Sequence, residues 1–165
     1  MTMAKLSLLG IGPKIGRVAL PYLLVTLFLS IYFKETFYVG QFLEKPLLIV
    51  GIALLVIGVI FWAITGRLLL KGIKTTTMMT TGTYYLCQNP LYASILLMVI
   101  PGLSLVLHTW LVLTTSLVGY TLFRIHIAQE HREMESVFGE AYLAYKKNTP
   151  EIIPLPLKKW FKKAG

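Results

Sequence analysis

Two stretches of this chain collect side chains able to do chemistry. The first runs Thr80-Thr81-Gly82-Thr83-Tyr84-Tyr85-Leu86-Cys87-Gln88-Asn89-Pro90-Leu91-Tyr92 and sets hydroxyls, amides, a thiol and three tyrosines between apolar segments. The second holds Arg124, His126, Glu130 and His131. Asn89-Pro90 reads as a helix start: proline tolerates the first helical position, and the asparagine before it is expected to cap free N–H groups. A helix N-terminus carries partial positive charge and unpaired donors. A carboxylate such as Glu130, held near a membrane boundary, can balance a cation such as a sulfonium, or hydrogen-bond a ribose or an amine. Gly82, Tyr84, Gln88, Asn89, Pro90 and Tyr92 are therefore expected to meet Arg124, Glu130 and His131 around one polar pocket.

Each of these residues also has a plainer use. Arg124 suits a snorkelling anchor. His126 and Glu130, four apart, suit a pair on a helix surface. Cys87 suits a small packed residue, and the tyrosines suit an interfacial belt. The three histidines do not suggest a metal site, because His108 falls at the opposite end of a span and His126 and His131 are five apart.

The elements that must position these side chains follow from composition. With 56% hydrophobic and 14% charged residues, the 165-residue chain is bilayer-like and has room for one domain. The net charge of +9 lies beside apolar spans and in the C-terminal tail, a pattern that suits anionic lipid rather than nucleic acid. One cysteine excludes an internal disulfide. No removable signal peptide is evident, since only Lys34-Glu35-Thr36 follows the first apolar run.

In chain order, residues 1–17 read as an interfacial arm, and 18–33, 46–66, 89–107 and 110–127 as membrane spans. Pro21 then falls in the first turn of span one, where it does little harm. Gly51 and Gly58 share a face of span two and would let another helix approach. Arg67, Lys71 and Lys74 mark an exit helix running along the surface. Spans three and four form a helical hairpin turning at Pro101-Gly102 or, preferably, at His108-Thr109, with Pro101 then a kink. An amphipathic helix follows over 128–149, with Met134, Phe138, Ala141, Tyr142 and Tyr145 on one stripe, and 150–165 is a basic tail. The expected fold is thus an all-α integral membrane protein of about four transmembrane helices. Fourteen of the sixteen Lys and Arg fall on the side of the termini and the Arg67–Lys74 loop, which places both termini in the cytoplasm.

Both chemical stretches carry a resemblance. Met79-Thr80-Thr81-Gly82-Thr83-Tyr84…Gln88-Asn89-Pro90-Leu91-Tyr92 resembles the "T-x-G-P-Y-x-x-x-R-[HN]-P-x-Y" signature of the isoprenylcysteine carboxyl methyltransferase and phospholipid methyltransferase family. Arg124…Glu130-His131-Arg132-Glu133-Met134…Phe138-Gly139-Glu140-Ala141-Tyr142…Tyr145…Pro150…Pro154 resembles its second block. The resemblance implies a membrane methyltransferase that binds S-adenosylmethionine at the cytoplasmic face. It also implies a lipophilic acceptor entering sideways from the membrane lipid. Carried over, Gly82, Tyr84, Asn89, Pro90 and Tyr92 shape the pocket, with Gln88 and His131 beside them. Arg124 orients the acceptor or a carboxylate, and Glu130 binds the cofactor or accepts a proton. Thr83, Gln88 and His131 depart from the family's proline, arginine and second glutamate. Without a fixed cation at position 88, an amine, phenol, thiol or isoprenoid-derived acceptor fits as well as a carboxylate. The rival classes are a membrane reductase using NADPH and a non-catalytic membrane partner.

Overall fold

A computed structural model describes residues 10–40 and 43–155. Most of the expected arm and the end of the basic tail therefore lie outside the described residues. Seven α-helices and one π-helical turn follow in order: α1 (Gly12–Tyr32), α2 (Lys34–Phe37), α3 (Glu44–Thr75), α4 (Thr83–Leu86), α5 (Pro90–Ser94), a π turn (Ile95–Val99), α6 (Ile100–Val106) and α7 (Trp110–Asn148). No strand occurs among the described residues, only an isolated bridge between Tyr38 and Thr109. Among the described residues three helices, α1, α3 and α7, are long and apolar enough to cross a membrane, and Pro90–Val106 is a shorter apolar run.

Helix boundaries differ from the expectation where local chemistry outweighs hydropathy. α1 begins at Gly12 rather than Val18, with Pro13 in its first turn, so Pro21 lies inside the helix and not at its start. α3 continues unbroken through Gly66 and Arg67 to Thr75, so the basic turn extends span two and is no separate surface helix. At about 1.5 Å per residue this rod is roughly 48 Å long and outruns a hydrocarbon core of about 30 Å. Thr76, at φ +50°, ends it with its N–H on the carbonyls of Gly72 and Ile73.

The π turn stands immediately before Pro101. Proline lacks an N–H and its ring collides with the carbonyl four residues back in a regular α-helix. The wider turn, in which the N–H of Ile100 reaches the carbonyl of Ile95, absorbs that conflict without breaking the rod. The chain reverses over Leu107–Thr109, where His108 takes φ +52° and the Thr109 side chain caps α7 by accepting from the N–H of Leu111.

The amphipathic helix over 128–149 is not one straight element. Gly139 takes φ +53° and ψ −133°, a conformation that side chains resist, and bends α7 in two. Residues 140–148 are thereby turned back toward the α4–α5 loop. Tyr145 secures the bend by donating from its hydroxyl to the carbonyls of Tyr84 (2.6 Å) and Cys87 (3.3 Å).

The helices pack in a row: α3 on α5 and α6, α6 on α7, and α7 on α1. Between them lie an apolar cluster that includes Leu96, Ile100, Val112, Phe123 and Ile127, and seams of small or polar residues. Gly51, Gly58, Thr65 and Gly72 repeat every seven residues on the buried stripe of α3. A Cβ on Gly51 would come 2.9 Å from the carbonyl oxygen of Gly102, and one on Gly58 would come 2.9 Å from Met98. α1 meets α7 through a ladder of hydroxyls: Tyr22 with Thr114 (3.0 Å), Thr26 with Thr115 (3.3 Å) and Ser30 with Thr109 (2.9 Å). Such bonds contribute about 0.6 kcal/mol each between helices in lipid. Large apolar side chains instead point outward, as with Ile31 (72% exposed) and Leu117 (68%). A soluble protein would bury these residues, so the surface is that of a chain whose solvent is hydrocarbon.

Candidate functional site

The site sits where the α4–α5 loop, the basic end of α3 and the two halves of α7 converge. Gly82, at φ +62°, lets the loop turn tightly into α4, and a Cβ there would come 2.8 Å from Leu68. Thr65 ties α4 down by donating to the Thr83 hydroxyl at 2.9 Å. Beyond α4, the loop pairs with the segment following α7. The N–H of Gln88 donates to the carbonyl of Pro150 (2.9 Å), and that of Asn89 donates to the carbonyl of Glu151 (3.1 Å). The Asn89 side chain does not cap α5 as the sequence suggests. Its amide donates to the same Glu151 carbonyl at 3.0 Å, because that carbonyl is brought within reach by the returning chain.

Gln88 is held the same way. Its side-chain NH2 donates to the carbonyls of Thr149 (2.6 Å) and Lys146 (3.1 Å). Two carbonyl neighbours fix the amide's orientation and leave Oε1 buried with no partner. The position therefore carries a neutral amide, where an arginine would carry only donors and a charge.

These elements enclose a cavity of about 150 Å³ lined by residues from both chemical stretches. On the order of ten water-sized volumes fit in such a space, which suits a small organic molecule better than a single ion. Tyr84, Gln88, Asn89, Pro90, Tyr92, Glu130 and His131 all line it. Gly10 closes one side, and Glu130 Oε2 accepts a long bond (3.4 Å) from the N–H of Ile11 at the start of α1. Burial holds the Glu130 carboxyl above the usual carboxylate range, and the Ile11 N–H at the start of α1 only partly offsets it.

Two of the expected site residues lie elsewhere. Gly82 shapes the loop from outside the lining, and the Arg124 side chain, 55% exposed, pairs with Glu151 at 2.5 Å. Arg124 turns away because the returning segment supplies a carboxylate at the outer face of α7. His126 also stays outside, with Nδ1 on the carbonyl of Leu122 (2.9 Å).

Other contributors were not singled out as site residues. Met134, Phe138, Tyr142 and Tyr145, read as an amphipathic stripe, point into the cavity, and Glu133 joins them. From α3 and its exit come Gly72, Ile73, Thr77 and Met79. Glu151 is the furthest from any sequence signal. It bridges Arg124 through Oε2 and His131 Nε2 through Oε1 (3.1 Å), while His131 Nδ1 meets the Tyr142 hydroxyl at 2.5 Å.

Electrostatically the cavity is acidic. Glu130 and Glu133 line it, and no Lys or Arg does so among the described residues. Burial, reinforced by the Glu130 carboxylate, pushes the Tyr84 phenol above its ordinary range, so it serves as a neutral hydrogen-bonding group. Burial likewise pushes the Cys87 thiol up to about 12, which keeps it protonated and inert behind the loop. No cluster of metal-ligating side chains occurs among the described residues. Compared with protein-family models, curated proteins and solved structures, the chain matches none.

Proposed function

We propose that this chain is a membrane methyltransferase that binds S-adenosylmethionine in the cavity and methylates a lipophilic acceptor arriving from the lipid. In this reading Pro90–Val106 is span three, short at roughly 25 Å but adequate for a locally thinned bilayer, and completes a set of four with α1, α3 and α7. Spans three and four form the hairpin, and the cavity and both termini face the cytoplasm in accord with the positive-inside bias.

The observation that carries the reading is the character of the lining: two carboxylates, several tyrosines and methionines, and no described Lys or Arg. A sulfonium is a cation with apolar substituents, and carboxylates and aromatic faces are the groups that hold it. A phosphorylated nicotinamide cofactor brings several negative charges, which these walls repel, so the reductase reading finds no support here. When bound, the cofactor supplies an activated methyl group. The protein's share is to align donor and acceptor and keep water out, and alignment alone can lower a barrier by about 7–11 kcal/mol.

Glu130→Gln keeps the shape of the side chain and its acceptor for Ile11 while removing the charge. It is expected to weaken adenosylmethionine binding about tenfold or more, or about 1.4 kcal/mol, by calorimetry in detergent. Unchanged affinity in that variant would remove Glu130 from the cofactor site.

A further inference from the structure

The geometry points to a proton-accepting relay, Tyr142–His131–Glu151–Arg124, that opens into the cavity at Tyr142 and serves an acceptor bearing an O–H or S–H group. The inference rests on the methyltransferase reading above and specifies its acceptor class. Four side chains from three parts of the chain are linked end to end. Arg124 meets Glu151 at 2.5 Å, Glu151 meets His131 Nε2 at 3.1 Å, and His131 Nδ1 meets Tyr142 at 2.5 Å. A carboxylate facing Nε2 requires the proton on that nitrogen, so Nδ1 carries the lone pair and accepts from the tyrosine. Tyr142 lines the cavity, and once its hydroxyl donates to Nδ1 the phenolic oxygen keeps lone pairs with which to accept a proton.

Such a chain serves an acceptor that must lose a proton. As the new carbon–oxygen or carbon–sulfur bond forms, the methyl–sulfonium bond breaks and its electron pair stays on the donor sulfur. The acceptor's proton passes to the Tyr142 oxygen, and the proton of Tyr142 passes to His131 Nδ1. The resulting imidazolium is balanced by Glu151, which Arg124 holds in place, and later gives its proton to water. A carboxylate acceptor needs no such base. It would need a cation, and Arg124 is engaged outside the cavity while the Gln88 amide is neutral. The other ionisable groups that line the cavity with His131 are Glu130, Glu133, Tyr84, Tyr92 and Tyr145.

The test uses the full chain in lipid nanodiscs with methyl-labelled adenosylmethionine and three probes: nonylphenol, decanethiol and decanoate. Label is expected on the phenol or the thiol and not on decanoate. Tyr142→Phe and His131→Gln should lower that transfer about a hundredfold or more at neutral pH, the scale of general-base catalysis. Their deficit should shrink as pH rises through the acceptor's own ionisation, since an acceptor already ionised brings no proton; a purely structural role would leave the deficit constant. Without any cofactor, the far-downfield proton signal of an imidazole N–H donated to a carboxylate should appear in the wild type and vanish in Glu151→Leu. Preferential labelling of decanoate, wild-type turnover in Tyr142→Phe, a pH-independent deficit or absence of that signal would overturn the relay alone. Failure of the wild type to bind adenosylmethionine by calorimetry would instead take the methyltransferase reading, and the relay with it.

Discussion

Cys87 shows how completely the loop is closed. It is fully buried, and its thiol is pushed up to about 12, so in the folded chain neither access nor ionisation favours reaction. A maleimide at neutral pH should therefore leave Cys87 unmodified until the protein is denatured; rapid labelling of the folded chain would show the loop to be open. The sign with pH follows, because an acid whose folded value is raised favours the folded state only while it is neutral. Stability from this group is intact below about 9, the ordinary value, and falls as pH rises toward about 12. Part of the cavity lining was legible at this scale: an Asn-Pro helix start and a carboxylate beside a span single out Asn89, Pro90 and Glu130, and all three line the cavity. Glu151 was not legible, since its place depends on a backbone pairing of residues 88–89 with 150–151 that no local pattern announces. The same pairing explains why Asn89 does not cap its helix and why Arg124 points outward.

Among the elements, α3 carries the most specific packing. Its small residues at Gly51, Gly58, Thr65 and Gly72 let two backbones approach until a single added methyl group collides. Gly51→Ala puts a Cβ 2.9 Å from a backbone oxygen that cannot swing aside, and should cost about 1–3 kcal/mol. Gly66→Ala meets nothing within 4 Å and should gain up to about 1 kcal/mol from helix propensity. Thermal melting of the two variants in detergent would compare them directly, and equal effects would contradict this packing. The sequence showed the first two glycines of the stripe. It hid the continuation, because Arg67 and Lys71 look like the end of a span although the helix runs on through them. The bend at Gly139 was hidden for a related reason: an apolar stripe of regular spacing does not report a backbone reversal in its middle. That reversal turns a surface helix into a wall of the cavity.

At the scale of the molecule, large apolar side chains cover the outside of the described residues, small and polar seams run beside an apolar cluster inside, and the acidic cavity lies at the end of the bundle where Arg67, Lys71 and Lys74 leave α3. Hydropathy made the apolar rods legible, while the enclosure came from segments distant in the chain: Gly10, the exit of α3, the α4–α5 loop and the folded-back end of α7. The central claim is that this enclosure accepts a cationic methyl donor and rejects a polyanionic nucleotide. Calorimetric titration of the full wild-type chain with adenosylmethionine, its demethylated product and NADPH tests it most directly. The account predicts saturable, mutually competitive binding of the two adenosyl compounds and no heat from NADPH. Saturable binding of NADPH, with no heat from either adenosyl compound, would contradict it.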